Sequence, residues 1–215
     1  MHVLKFGGSS LATPSRVRDV GRIVLDAHRR GPIIVVVSAF QGVTNHLLES
    51  AQIAERGNAR YDRILNELAR RHRTAARRLV ARRTTAVLSA VDRLLADLEN
   101  ALHGAYLLRH CPPQALDLIA SFGERLSALI IAAHLNQRRL VKFVDAREFV
   151  VTDDQFTHAA VIFDKTNRAA RAYFSKLFAR GKKRFFFGPC RRPLGRTAER
   201  LAAADSIHAA AELGR

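Results

Sequence analysis

The chain has 215 residues, 48% of them hydrophobic, which is enough for one sizeable core with an appendage. Its formal net charge of +17 would attract nucleic acid or an anionic membrane. No apolar run is long enough to predict a membrane span. The first residues lack the pattern of a signal peptide, so we expect a soluble, cytoplasmic protein. Cys111 and Cys190 have no C-x-x-C partner pattern and predict neither a metal site nor a disulfide framework.

The amino terminus predicts a short buried strand, residues 3–6, followed by Gly7-Gly8-Ser9-Ser10. Glycines allow a turn with positive φ and leave the backbone open to a ligand. A helix start follows, with Thr13 as N-cap and Pro14 at the first helical position. This order is typical of an anion site, to which Lys5 would add a point charge suited to phosphate. An ordinary strand–turn–helix fits the same pattern equally well.

A βαβ unit is predicted for the first forty residues. Residues 15–30 have helical periodicity, and Gly31-Pro32 ends that helix. Residues 33–37 are a continuous β-branched run, which is typical of a strand buried on both faces of a parallel sheet.

Residues 38–45 are a polar turn between that strand and a predicted helix over residues 47–55. In open parallel sheets ligands bind beyond the carboxyl ends of the strands, so this turn and the Gly7-Gly8 turn are expected to face one crevice. The hydroxyls of Ser38 and Thr44 could hold a carboxylate or an amino group there. The alternative for Thr44 is simply to cap the helix.

The segment from about 58 to 110 predicts two or three antiparallel helices beside the sheet and indicates no chemistry of its own. It contains most of the first of two basic blocks, residues 56–83; the second lies at residues 180–200. For the first block we favour a solvated helix face over a nucleic-acid surface, because no aromatic residues are interleaved for base stacking.

Pro112-Pro113 opens another helix, which carries Gly123 in its middle. A glycine costs a helix roughly 1 kcal/mol relative to alanine, and it often permits close approach by another group. Glu124 follows on a helix that is otherwise apolar, and a buried carboxylate needs a partner. That partner is either a substrate ammonium or hydroxyl, or Arg125 or another arginine nearby.

Beyond this helix the pattern predicts two short strands, residues 140–144 and 148–151. Residues 152–154 are predicted as a turn, and residues 162–180 as an amphipathic helix that Gly181 ends.

Four motifs in this order resemble the aspartate kinase family of the amino acid kinase superfamily. They are Lys5-Phe6-Gly7-Gly8-Ser9-Ser10, residues 36–39 with 42–45, Ser121-Phe122-Gly123-Glu124-Arg125-Leu126-Ser127, and Asp145-Ala146-Arg147 with the segment to Asp153. Four motifs in the right order are far more specific than one. The resemblance covers about residues 1–179.

The resemblance implies an α/β fold, a three-layer α/β/α sandwich with a mostly parallel sheet. Residues 1–180 would form its N-terminal, amino-acid-binding lobe, with the helical excursion at about 58–110. The family uses ATP to phosphorylate the side-chain carboxylate of L-aspartate, the first step of lysine, threonine and methionine biosynthesis. Mg²⁺ would bridge the phosphates, and related kinases form homo-oligomers.

The resemblance also implies roles for single residues. Lys5 would be the catalytic residue that stabilises the transferring phosphoryl group. The remaining positions divide into a phosphate-binding set, Gly7, Gly8 and Ser9, and an aspartate-binding set, Ser38, Thr44 and Glu124. No residue is assigned to a metal.

The pattern departs from the family after about Ala179. A Thr-Leu-Gly-Arg-Gly-Gly-Ser-Asp signature is expected there, and only Leu194-Gly195-Arg196 matches part of it. We interpret residues 181–215 as a basic, divergent tail, with out-of-frame translation as one hypothesis and a natural basic tail as the other. The resemblance thus leaves open a working kinase, an inactive fragment that lacks the nucleotide half, and a basic nucleic-acid-binding protein.

Overall fold

The structure is a computed structural model that describes residues 2–31, 33–137, 141–179 and 185–189. It has four strands, β1 (His2–Phe6), β2 (Ile33–Val37), β3 (Val141–Phe143) and β4 (Phe185–Pro189). Its six α-helices are α1 (Pro14–Arg29), α2 (Val43–Glu55), α3 (Tyr61–Leu79), α4 (Thr84–Leu108), α5 (Pro113–Asn136) and α6 (Phe163–Ala179). Two short 3₁₀ helices, Gly8–Leu11 and Ala146–Glu148, complete the elements of the described residues.

The four strands form one sheet in the order β1-β2-β4-β3, and each neighbouring pair is parallel. In the first pair Lys5 lies opposite Val36 and Phe6 opposite Val37. The β-branched run of β2 is therefore interior to the sheet, as the sequence predicts, because β2 has a partner on both sides. Strand β1 lies at one edge.

Among the side chains that the structure describes, strand β2 separates a large hydrophobic core from a small one. Ile33, Val35 and Val37 point into a large core that also contains buried residues of helices α1 to α5. The alternate residues Ile34 and Val36 belong to a small core with Val144, Ala170 and Phe174, of which the last two lie on α6. Helices thus cover both faces of the sheet, and the predicted α/β/α sandwich with a parallel sheet is confirmed.

Helix α5 lies at the centre of the large layer and contacts helices α1 to α4 as well as β2, β3 and β4. It is long and apolar enough to cross a membrane by length and composition, but most of it is buried inside the protein. Such a helix is typical of a domain core. A Cβ added to Gly123 would lie 3.0 Å from the Ala39 Cβ and 3.1 Å from side-chain atoms of Leu47 and Val43. The close approach predicted for Gly123 is therefore confirmed.

Several local expectations can now be compared with the structure. Thr13 caps α1, with its Oγ1 accepting a hydrogen bond from the Arg16 amide at 3.3 Å, and Pro14 is the first helical residue. The excursion contains two helices, α3 and α4. The capping role considered for Thr44 is wrong, because Thr44 lies inside α2. The helix begins at Val43, and its N-cap is Gly42, at φ +79°.

The strand predicted over residues 148–151 is also wrong. Asp145 accepts a hydrogen bond from the Arg147 amide and starts the 3₁₀ helix Ala146–Glu148 instead. Strand β4 lies within the segment interpreted as a divergent tail, and its backbone pairs with β2 and β3. The rest of that segment, residues 181–184 and 190–215, lies outside the described residues.

Candidate functional site

The loop after β1 passes close to the loop after β2. Gly7 precedes the first 3₁₀ helix with φ −78° and ψ 171°, and its carbonyl accepts a hydrogen bond from the Ser10 amide at 3.0 Å. A Cβ on Gly8 would lie 3.1 Å from the carbonyl oxygen of Ala39. The glycine pair thus permits a close approach of two loops. The positive φ considered for these glycines is wrong, because the described glycines with positive φ are Gly31, Gly42 and Gly57.

Backbone and side-chain hydrogen bonds join these loops to α5. The Ser38 amide donates to the carbonyl oxygen of Phe6 at 3.0 Å, which holds the ends of β1 and β2 level. The Ser127 hydroxyl lies 2.8 Å from the carbonyl oxygen of Ser38 and 3.0 Å from that of Glu124. One buried hydroxyl therefore connects the turn after β2 to the part of α5 that carries Glu124.

The predicted aspartate-binding residues lie on elements that are in direct contact. Ser38 and Thr44 are both half-buried. Ser38 begins the turn that precedes α2, and Thr44 lies in the first turn of α2. Glu124 is 6% exposed and follows Gly123, the residue on which Ala39, Val43 and Leu47 converge. The structure therefore brings together the segments that carry these three residues.

Lys5 is exposed on the edge strand β1, and Ser9 is exposed in the 3₁₀ helix after it. The Ser9 carbonyl accepts a hydrogen bond from Arg16 Nη1 at 2.6 Å, which fixes this helix against α1. The first amides of any helix have no partner inside it. The amides of Gly8 and Ser9, which begin this helix, are accordingly suited to an anion. The phosphate roles of Lys5, Gly7, Gly8 and Ser9 remain predictions.

A charged cluster next to Glu124 was not predicted as a site. Asp145 receives hydrogen bonds from the Arg147 guanidinium, the shortest at 2.7 Å, and lies 3.8 Å from Arg125 Nε. The Arg125 guanidinium also lies 4.7 Å from the centre of the Phe122 ring. Arg125, one of the partners considered for Glu124, thus has contacts with Asp145 and Phe122. The signal in the sequence was Asp145-Ala146-Arg147, whose two charged residues are close enough to pair.

The charges of this cluster affect one another. Hydrogen bonding to Asp145 raises the pKa of Arg147 above its ordinary value. Burial lowers the pKa of Arg125, and the nearby Arg147 lowers it further, while Asp145 opposes both effects. One carboxylate therefore stabilises two guanidinium groups, and one of them belongs to Arg125, the residue that follows Glu124 on α5.

A second feature that the sequence did not indicate is a cavity of about 330 Å³ beside the convergent loops. It lies between the start of α1 and the second half of α3, and Leu11 and Phe40 bring the two loops into its wall. Over the ranges that the structure describes, no group of three or more His, Cys, Asp or Glu side chains is placed to hold a metal ion.

The fold and these four motifs define a class of protein. Residues 1–182 match the amino acid kinase family, and the chain belongs to that family. Among its curated relatives are aspartokinase 1, chloroplastic, of Arabidopsis thaliana, 32% identical over 166 residues, and the aspartokinase of Chlamydia muridarum, 29% identical over 158 residues. These matches cover 74% and 73% of this chain but 28% and 32% of the two relatives.

Solved structures agree with this assignment. The chain superimposes on E. coli aspartokinase III in complex with lysine and aspartate with a TM-score of 0.81 and 24% identity, over 97% of this chain and 47% of that one. The same enzyme in complex with aspartate and ADP gives a TM-score of 0.75 and 25% identity, over 87% of this chain and 41% of that one. The chain thus spans less than half of these proteins.

Proposed function

We propose that the chain is aspartate kinase-like and transfers the γ-phosphoryl group of ATP to the side-chain carboxylate of L-aspartate. Its relatives are named aspartokinases, and a structural neighbour was solved with aspartate and ADP. L-Aspartate and ATP are accordingly the ligands proposed here. A cytoplasmic location, homo-oligomerisation and the unit of residues 1–180 are part of the same proposal.

The observation that carries the proposal is the hydrogen-bonded junction of three motifs. Phe6 bonds to Ser38, and the Ser127 hydroxyl connects Ser38 to the backbone of Glu124. Phe6 of the first strand and Glu124 of α5, which are 118 positions apart in sequence, are thus connected at the carboxyl ends of β1 and β2. This is the edge of a parallel sheet at which ligands bind.

The proposed roles follow from the chemistry of the transfer. An oxygen of the aspartate side chain attacks the γ-phosphorus, the bond from that phosphorus to the bridging oxygen breaks, and ADP leaves with the electron pair. Such a transfer needs positioning and charge neutralisation more than covalent chemistry. Lys5 would neutralise charge on the moving phosphoryl group, and the amides of Gly7, Gly8 and Ser9 would donate to the phosphates.

The substrate would lie on the α2 and α5 side of the crevice. Glu124 would accept from the α-ammonium group of aspartate, while the hydroxyls of Ser38 and Thr44 would hold its carboxylates. Mg²⁺ usually binds through substrate phosphates and one or two carboxylates rather than a dedicated protein cage. Mg²⁺ is therefore proposed to enter with ATP and to neutralise the charge of its phosphates.

The test is ADP formation that depends on L-aspartate, measured on the full chain, with hydroxylamine to trap the acyl phosphate. Lys5→Ala is expected to lower the rate roughly 10²- to 10³-fold, the usual cost of losing one transition-state charge contact. Lys165→Ala removes an equally exposed lysine on α6 and should leave the rate unchanged. Titration calorimetry should show that Glu124→Gln weakens binding of L-aspartate.

Two results would contradict the proposal. One is a chain that binds neither L-aspartate nor ATP and forms no ADP. The other is turnover that Lys5→Ala and Lys165→Ala lower to the same extent, because a general loss of charge would then explain the effect.

A further inference from the structure

The cavity between α1 and α3 is separate from the crevice in which the kinase residues meet. Its volume of about 330 Å³ falls within the range of roughly 300–1,000 Å³ typical of small-molecule sites. Thr13, Pro14 and Val17 of α1 form one side, and α3 forms the opposite side. Arg18 Nη2 donates to the carbonyl oxygen of Arg78 at 3.0 Å and ties the two helices together next to it.

The polar part of the wall is strongly cationic. Arg70, Arg71 and Arg78 line the cavity, and Glu67 is the acidic side chain among its lining residues. Arg71 is half-buried, and burial lowers its pKa although Glu67 acts in the opposite direction. A guanidinium that has lost part of its hydration favours an anion. Arg71 and Arg78 are two helical turns apart and lie on one side of α3, and Arg70 lines the cavity from about 100° around the helix.

The rest of the wall is apolar and well packed. Leu11, Val17, Phe40 and Leu79 line it, and each is at most 4% exposed. These side chains give an aromatic or aliphatic group an apolar wall to pack against, which an inorganic ion would not use. The wall therefore favours a ligand that has both an apolar body and a negative charge.

We propose that this cavity is a binding site for a small amphipathic anion, an aromatic or aliphatic body that carries a carboxylate or a phosphate. The apolar body lies against Leu11, Phe40 and Leu79, and the anionic group lies between Arg70, Arg71 and Arg78. The site is independent of the kinase reaction, since none of the seven residues proposed for that reaction lines the cavity.

The cavity adjoins both loops of the candidate active site. Leu11 is the last residue of the 3₁₀ helix that begins at Gly8, and Phe40 lies two residues after Ser38. A ligand in the cavity contacts Leu11 and Phe40. Leu11 follows the proposed phosphate-binding residues in the chain, and Phe40 follows Ser38 of the proposed aspartate-binding set.

The experiment is titration calorimetry of the full chain with phenyl phosphate and with phenylacetate, which distinguish a phosphate from a carboxylate. Benzyl alcohol supplies the apolar body without charge, and inorganic phosphate supplies the charge without the body. We expect saturable binding of at least one aromatic anion, tighter than that of either partial probe. Arg71→Ala should weaken it about tenfold or more, the effect of losing one charge-assisted contact.

Arg77→Ala is the matched control, because Arg77 is an exposed arginine on the same helix that does not line the cavity. It should leave the affinity unchanged. Ala75→Leu adds apolar volume to the wall without removing a charge and should also prevent binding. Circular dichroism melts confirm that each variant is folded before it is titrated.

The proposal is overturned if no aromatic anion binds saturably, or if benzyl alcohol binds as tightly as phenyl phosphate. Equal weakening by Arg71→Ala and Arg77→Ala would also overturn it, because the attraction would then come from the basic helix face as a whole. These results do not depend on kinase activity, so they leave the test of the proposed function separate.

Discussion

The two faces of the sheet are packed in different ways although both are covered by helices. On one face, five helices enclose a large continuous core in which α5 contacts every other helix of the layer. On the other, among the side chains that the structure describes, α6 covers a cluster of five buried residues that includes Phe174. Ser38, Thr44 and Glu124 of the candidate site lie on the turn after β2, on α2 and on α5, next to the large core, whereas Lys5 lies on strand β1 of the sheet.

This difference indicates which part of the protein positions the residues of the candidate site most rigidly. Residues of an active site must be positioned to a fraction of an ångström, and rigid, well-packed elements do this better than lightly packed ones. Gly123, Glu124 and Ser127 lie on the most buried helix of the molecule. We expect changes in the large layer to disturb both stability and the site, and changes under α6 to disturb mainly α6.

The largest expected effect comes from truncating an aromatic residue in each core. Phe122→Ala should cost about 4 kcal/mol of unfolding free energy, because a side chain only 1% exposed leaves a cavity that its crowded neighbours cannot fill. Phe174→Ala should cost about 3 kcal/mol, since a single helix can settle onto the small core. Urea titrations measure both values, and equal costs would contradict the contrast between the faces.

A buried histidine should make the large layer sensitive to acid. His72 of α3 is fully buried, stacks on Phe40 with ring centres 5.3 Å apart, and donates from Nδ1 to the Leu68 carbonyl at 2.7 Å. Burial lowers its pKa from 6.5 to about 4. The unfolded chain binds this proton near pH 6.5 and the folded chain only near 4, so stability falls as the pH drops between these values.

The loss should approach about 3 kcal/mol at pH 4, from 1.36 kcal/mol for each pH unit between the two pKa values. Urea titrations from pH 7 to pH 4 measure it. His72→Phe keeps an aromatic ring against Phe40 and should remove this component of the pH dependence. His158→Phe, at an exposed position, should retain it. An identical pH profile for the wild type and His72→Phe would show that His72 does not titrate in this way.

A smaller effect is expected where α5 meets α2. Gly123→Ala should destabilise the protein by about 1 kcal/mol, because a clash with three neighbours at 3.0–3.1 Å outweighs the gain in helix propensity. Gly104→Ala is the control, since a Cβ there meets nothing within 4 Å, and it should stabilise α4 by roughly 0.5–1 kcal/mol. Thermal melts distinguish opposite signs. A stabilising Gly123→Ala would mean that α2 moves aside easily.

The smallest effect concerns the hydroxyl that joins α5 to the turn after β2. Ser127→Ala should cost about 1 kcal/mol, the usual contribution of one buried hydrogen bond. Ser121→Ala removes a hydroxyl from the same helix that bonds within the helix, to the Leu118 carbonyl, and should cost less. Urea titrations again measure the difference. Equal losses would assign the effect of Ser127→Ala to helix packing rather than to the junction.

Local patterns predicted much of this architecture. A few neighbouring residues were enough to predict three features. These are the interior strand β2 with its β-branched run, the Thr13 cap with Pro14 at the start of α1, and the close approach at Gly123 in an apolar helix. The convergence of the Gly8 and Ser38 loops followed from the parallel sheet alone, because the carboxyl ends of parallel strands meet at one edge.

Two errors arose from local interactions that the residue pattern did not reveal, and one omission arose from contacts between distant parts of the chain. Thr44 was considered as a cap, but the N-cap of α2 is Gly42, whose backbone is in the left-handed region, and the helix begins at Val43. Residues 148–151 have strand-like composition, yet the bond from the Arg147 amide to Asp145 turns the chain. The cavity could not be predicted at all, since its lining residues on α1 and α3 are at least 50 positions apart in sequence.

The position of β4 has a consequence for synthesis of the protein. Strand β4 is the last described element in sequence, yet it lies between β2 and β3. As the chain leaves the ribosome, β1, β2 and the helices up to α5 can assemble first, because their contacts lie within the first 136 residues. Until β4 emerges, β2 has an open edge and β3 has no neighbour in the sheet. Until β4 is added, the nascent chain therefore presents unpaired strand edges of β2 and β3 to which other chains can pair.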